Sequence, residues 1–203
     1  MMTGGARKIA RNEGMMDART YFLMLHEHAH TSGKVSRVLT GATQEQWRAV
    51  LPGHNSVAWI VWHVARGEDW SITVLRGDEQ LLTRDGWDRR MRVQRRDFGT
   101  GMTTGEMAVL SADINLEALR GYWDAVYAET RRFAQGLDFD ALAEPVDAAF
   151  RRRALDLLAE WAEPLRATVE RWTTRFAYLN VLSLLEVAAH FDEADHVIRM
   201  LEV

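Results

Sequence analysis

The chain has 203 residues, enough for one domain with a sizeable core. It contains no cysteine, which excludes disulfide scaffolds, thiolate metal sites and a cysteine nucleophile. Any metal must therefore be held by His, Asp or Glu, and any reacting thiol must come from outside. The net charge of −4 gives no reason to expect nucleic acid as a partner, and clusters such as Arg151-Arg152-Arg153 read as solvated surface.

No apolar run approaches the roughly 20 residues needed to span a bilayer, so a membrane is not expected and the cytoplasm is the default location. Residues 1–16 carry basic side chains without an apolar stretch fit for a signal peptide, and read as a disordered extension. Residues 17–203 read as a single domain.

Three prolines and few alternating β-branched runs predict an all-α chain. The first helix is expected over residues 17–39, with Ala18, Phe22, Leu25, Ala29, Ser32 and Leu39 on one side and Tyr21 and Val35 on its margin. On this wheel His28 falls at the edge of the core, while His26 and His30 point outward. Leu51-Pro52-Gly53 is a turn before a second helix over residues 56–75, with Asn55 or Ser56 as its cap. Val57, Ile60, Val61 and Val64 give that helix a core face, and His63 sits at its edge beside Trp59, Trp70 and Val74. A polar group buried there without a partner costs roughly 1–3 kcal/mol. His63 therefore needs a metal ion, a carbonyl or a water. Glu68 is odd, because it falls on the aliphatic face; it could reach an arginine or a metal, or lie where water enters.

Residues 79–111 show poor periodicity and read as a long irregular crossover with one short helix near 104–111. A third helix is expected over residues 114–137, capped by Asp113, with the stripe Leu119, Tyr122, Trp123, Val126, Thr130 and Phe133. A polar segment and an additional amphipathic helix over residues 152–172 follow, and the last helix runs from about residue 178. Four long helices joined in this way describe a helix bundle.

The last helix decides which histidine matters. Leu179, Ser183, Val187, Ala194, Val197 and Leu201 cluster on one arc, and His190 lies inside it. His196, six residues on and roughly 120° around, points to solvent. Glu186 and Glu193 flank His190 on its own side of the helix, as residues three or four apart do. Imidazole with carboxylate suits zinc, nickel, manganese or iron. The candidate ligands are therefore His63, His190 and Glu193, with Glu186 and His28 as alternatives. A hydrogen-bonded core histidine is the commoner use of such a residue.

The run Asn55-Ser56-x-Ala58-Trp59-x-x-Trp62-His63-x-Ala65-Arg66-x-Glu68-Asp69-Trp70, and a last helix with a core histidine and an Ile198-Arg199 ending, resemble the DinB-like superfamily. That group includes DinB and YfiT-type proteins, bacillithiol transferases and mycothiol-dependent maleylpyruvate isomerases. The resemblance implies a four-helix bundle in up-down-down-up order, usually dimeric. It also implies a divalent metal held by one histidine of helix two and a His-x-x-x-His pair of helix four. By position these match His63, His190 and Ala194, and alanine cannot bind metal. Glu193 or Glu186 could replace the missing ligand, His28 could supply one from helix one, or the metal could be lost.

Two functions follow from the resemblance. One is a metal-dependent thiol S-transferase or hydrolase acting on a small electrophile, with a low-molecular-weight thiol as cosubstrate and Arg199 as an anion contact. The other is a non-catalytic dimeric member, tied to stress or to small-molecule binding, with a degenerate metal site.

Overall fold

The computed structural model describes residues 16–158 and 163–202. The expected N-terminal extension, residues 1–16, lies outside the described residues except for Met16. Four helices dominate: α1 (Ala18–Thr31), α2 (Val57–Arg76), α3 (Leu116–Gly136) and α4 (Glu186–Met200). Helix α4 continues without a break from Arg175–Asn180 through one π-helical turn, Val181–Leu185. The chain is all-helical, and among the described residues the only strand-like pairing is an isolated bridge between Pro145 and Thr174. No helix among those residues is long and apolar enough to cross a membrane.

Side-chain contacts fix the helix directions. Arg19 donates to the Leu137 carbonyl at one end of α1 and Arg131 to the Leu23 carbonyl further on, so α1 and α3 are antiparallel. Arg66 meets Tyr122 and Arg76 meets Glu129, so α2 and α3 are parallel. Asn55 meets Glu193 and Ser71 meets the Tyr178 carbonyl, so α2 runs against the last helix. Lys34 pairs with Asp192 and Arg37 with Asp195, which aligns the first and last helices. The order is up-down-down-up, with α1 and α2 across one diagonal.

Helix α2 is the centre of the molecule. Ser56 caps it by accepting from the Trp59 amide, while Gly77, at φ 81°, ends it in the left-handed conformation that glycine adopts without steric cost. Every residue from Val57 to Val74 is buried. A helix enclosed on all sides should be apolar all round, yet this one carries His63, Arg66, Glu68 and Asp69 inward. Each must find a partner, and those partners make the site.

Four expectations are corrected. The first helix is not continuous to residue 39: Ser32 leaves helical geometry at ψ 158° and caps a short second segment, Gly33–Ser36, followed by a π turn, Arg37–Gly41. Asp113 does not cap α3; it is the last residue of the helix Thr104–Asp113, and Asn115 accepts from the Glu117 and Ala118 amides instead. The crossover is less irregular than its pattern suggests, with short helices at Leu81–Arg84 and Trp87–Met91. The additional helix is two, Ala148–Asp156 and Glu163–Glu170, and residues 159–162 between them are outside the described residues.

Candidate metal centre

His63 projects from α2 with its Nδ1–H donating to the Phe98 carbonyl of the crossover. That bond leaves Nε2 with a free lone pair. Trp59, one turn earlier on α2, stacks on the ring at 4.5 Å between centroids and 10° between planes. The His190 ring of α4 meets His63 at 4.8 Å, edge-on, and lies 6.2 Å from Trp59. Its Nε2 lies 3.1 Å from Glu186 Oε2, and its Nδ1 lies 2.9 Å from Glu193 Oε2. Asn55, just before α2, donates to the other Glu193 oxygen at 2.9 Å. One ligand atom each from His63, Glu186 and His190 falls within 4.8 Å of the others.

Charge divides the two imidazoles. Burial, with the neighbouring His190 charge behind it, holds His63 down to about 4, so that ring is neutral near pH 7. Burial also opposes charge on His190, but hydrogen bonds to Glu186 and Glu193 outweigh it and raise that ring to about 9. The His190 partnership draws Glu186 below the usual carboxylate range, and it overcomes burial at Glu193. Without metal, the site is a neutral imidazole beside an imidazolium clasped by two carboxylates.

A pH dependence follows. The folded value of His190, about 9, lies above its ordinary 6.5, so metal-free protein gains its stabilisation fully below about pH 6.5 and loses it as pH rises through 9. Urea midpoints of chelator-treated protein should fall across that window, and His190→Ala should flatten the fall. A profile in the variant as steep as the parent's would refute the assignment. Metal must displace the same proton, so metal affinity should rise over those pH values.

Two imidazoles and one carboxylate form a donor set suited to zinc, nickel, manganese or iron. Both rings also have an outer partner on the nitrogen facing away from the cluster, Phe98 O for His63 and Glu193 for His190. Ligating histidines ordinarily have such partners, which fix tautomer and orientation. The residues present fit a divalent metal.

The crossover segment is held closely over this corner. Gly99 sits at φ 83°, and a Cβ there would come within 2.6 Å of the Trp62 ring and 2.8 Å of Trp59 Nε1. Gly99→Ala should therefore cost on the order of 2 kcal/mol or more and push the Phe98 carbonyl off His63. A thermal melt and a metal titration would check it; an unchanged melting temperature would contradict the packing.

Behind the site lies a buried polar network. Arg66, fully enclosed, donates to Asp69 at 3.1 Å, Tyr122 Oη at 3.0 Å, Gln80 Oε1 at 2.5 Å and the Arg96 carbonyl at 2.7 Å. Asp69 also accepts from Tyr122 at 2.6 Å and from the Leu81 and Leu82 amides at 2.9 and 3.0 Å. This network anchors the crossover two residues before the carbonyl that bonds His63.

The other candidates are dispersed. Ala194 is fully buried in the apolar core, so no ligand stands at that turn. Glu193 lies on the Nδ1 side of His190, where Asn55 also holds it. His28 is exposed on α1, and His196 is exposed near His54, with ring centroids 5.7 Å apart. Arg199, largely exposed, pairs with Asp195 at 2.5 Å.

The wheel for the first helix had its histidines reversed. His26 and His30 are buried, and both bond Glu68. The signal was present as two anomalies, a carboxylate on the aliphatic face of α2 and a Phe22-x-x-x-His26-x-x-x-His30 row on α1.

Comparison with known proteins places this architecture. A crystal structure described as that of a conserved protein from Enterococcus faecalis superposes with a TM-score of 0.67 at 18% identity, covering 93% of this chain and 99% of that one. At that identity the likeness speaks for the fold alone. No curated protein matches the chain. The family model of the DinB superfamily matches residues 27–197, a span that contains the α2 helix with His63 and the α4 residues Glu186 and His190. The chain belongs to the DinB superfamily.

Proposed function

We propose that this protein is a metal-dependent enzyme of the DinB superfamily, in which His63, Glu186 and His190 hold a divalent ion that activates a low-molecular-weight thiol, or water in the hydrolytic variant, against a small electrophile. The observation that carries the reading is the convergence of three ligand atoms from two antiparallel helices within 4.8 Å. It supports Glu186 as the third ligand where the resemblance places Ala194. When bound, a divalent ion supplies Lewis acidity that lowers the pKa of a thiol or water toward neutrality.

The chain's own residues do the rest. Phe98 and Glu193 orient the two imidazoles, and Trp59 shields the outer face of His63. His190 and Glu186 keep 20% and 37% of their side-chain surface open, and that side admits the thiol and the electrophile. Arg199 can bind a substrate carboxylate only by leaving Asp195. The reading also carries the homodimer that the resemblance implies, which light scattering would check.

The test is elemental analysis of protein purified without added metal and without a histidine tag. His63→Ala and His190→Ala should each lose one ion per chain relative to the parent while keeping the helical circular dichroism, and His196→Ala should lose none. A parent without metal, even after supplementation, would leave the second reading: a non-catalytic member whose site degenerated with the histidine that Ala194 replaces.

A further inference from the structure

The diagonal between α1 and α2 carries a second cluster that the proposed centre does not use. His26 and His30, one turn apart on α1, direct their Nε2 atoms at the two oxygens of Glu68, at 2.7 and 2.8 Å. His26, His30 and Glu68 are 0%, 5% and 0% exposed. Aromatic rings wall the cluster: Tyr127 stacks on His26 at 5.2 Å, Phe22 covers it at 5.6 Å, and Trp123 lies 4.8 Å from His30.

Hydrogen bonding fixes the orientation of one ring. His30 Nδ1–H donates to the His26 carbonyl at 2.9 Å, so in the neutral ring Nε2 presents a lone pair. That lone pair faces a carboxylate oxygen at 2.8 Å. Two acceptors at hydrogen-bond distance repel unless a cation stands between them. One ligand atom from each of His26, His30 and Glu68 lies within 4.8 Å of the others, and all three residues are buried. His26 Nδ1 has no hydrogen-bond partner among the described residues, so Glu68 is the one group that this ring's nitrogens meet. Arg131, the cation that bears on His26, is paired with Glu27 at 3.5 Å.

We propose that His26, His30 and Glu68 form a second metal site, closed to solvent, in which a divalent transition ion of the zinc type clamps α1 to α2 across the bundle. Two imidazole nitrogens and one Glu68 oxygen supply three ligand atoms, and bidentate binding by Glu68 would bring the set to the four that a structural zinc takes. His-x-x-x-His spacing on one helix and a carboxylate from its diagonal neighbour make the clamp tertiary. Enclosure by rings leaves no side for a substrate, so the site stabilises and does not catalyse. The carbonyl on His30 Nδ1 is the outer partner that a ligating imidazole needs.

The test removes the first site and asks what remains. His63→Ala/His190→Ala protein, unfolded in urea and refolded with Zn2+ or Co2+, should retain one ion per chain after desalting. Its melting temperature should rise by roughly 5–10 °C at about 100-fold excess of ion over Kd. Adding Glu68→Gln should abolish both the ion and the rise. A double variant with native helical signal, no bound ion and no shift would overturn the proposal and assign the position between His30 and Glu68 to a proton. Should the double variant fail to fold, the parent decides: metal-loaded protein should fall from two ions per chain to one on Glu68→Gln alone. A parent that takes up one ion, indifferent to Glu68→Gln, overturns the site equally.

Discussion

Arg66→Met should destabilise the protein by about 3–5 kcal/mol, more than any other single substitution considered. The guanidinium is fully buried and satisfies four acceptors on three segments: α2, α3 and the crossover. Methionine fills similar volume but leaves the Asp69 carboxylate enclosed without its counter-charge. Two backbone amides and Tyr122 would still bond Asp69, which keeps the effect from being larger. Tyr122→Phe, which removes one neutral donor and leaves the ion pair, should cost about 1–2 kcal/mol. Urea denaturation with a common slope would measure both. A cost below about 1 kcal/mol for Arg66→Met would mean that the network is not formed as described. The variant should also weaken metal binding at His63, because the Arg96 carbonyl it releases lies two residues from Phe98.

Glu186→Gln should lower metal affinity at the candidate centre by more than about 100-fold, whereas Glu193→Gln should lower it by about 10–100-fold, the range typical of an outer-shell partner. The two carboxylates flank one histidine but face its two different nitrogens. Glu186 lies on the Nε2 side with His63, and Glu193 holds Nδ1 with Asn55 behind it. Loss of Glu186 deletes a donor; loss of Glu193 frees a ring to turn. Competition titration against a chelating dye would rank them. If Glu193→Gln proves the more damaging, the ion sits on the Nδ1 side and the ligand set is His190, Glu193 and another group.

Much of this architecture could be read before any coordinates. The second helix was expected over residues 56–75 and runs Val57–Arg76, because a serine cap and a terminal glycine mark both ends locally. The α3 stripe and the α4 arc were legible because apolar side chains repeat there without interruption. The first helix was not, and the reason is physical. A single wheel assumes one continuous phase, but Ser32 prefers the cap to the helix interior and accepts the Val35 amide, resetting the phase mid-run. On that helix the wheel also assigns His26 and His30 outward. Only the distant Glu68, 42 and 38 residues along the chain from His26 and His30, makes their burial tolerable. The candidate centre was half legible: His63 and His190 stand together, but which carboxylate joins them depends on side-chain direction within one helical turn. The crossover's part in the site, through Phe98 and Gly99, has no periodic signature at all.

Between residues 63 and 69, the buried charged or ionisable side chains of helix α2 reach every neighbour in the bundle. His63 turns to α4, Arg66 and Asp69 to α3 and the crossover, and Glu68 to α1. An apolar helix can slide by one turn against its neighbours and still bury most of its surface. This one cannot, since any slip would strand several polar groups at once among unmatched partners. The interior polarity that looks costly in isolation therefore selects a single alignment of the bundle from several that greasy packing alone would leave nearly equal in energy.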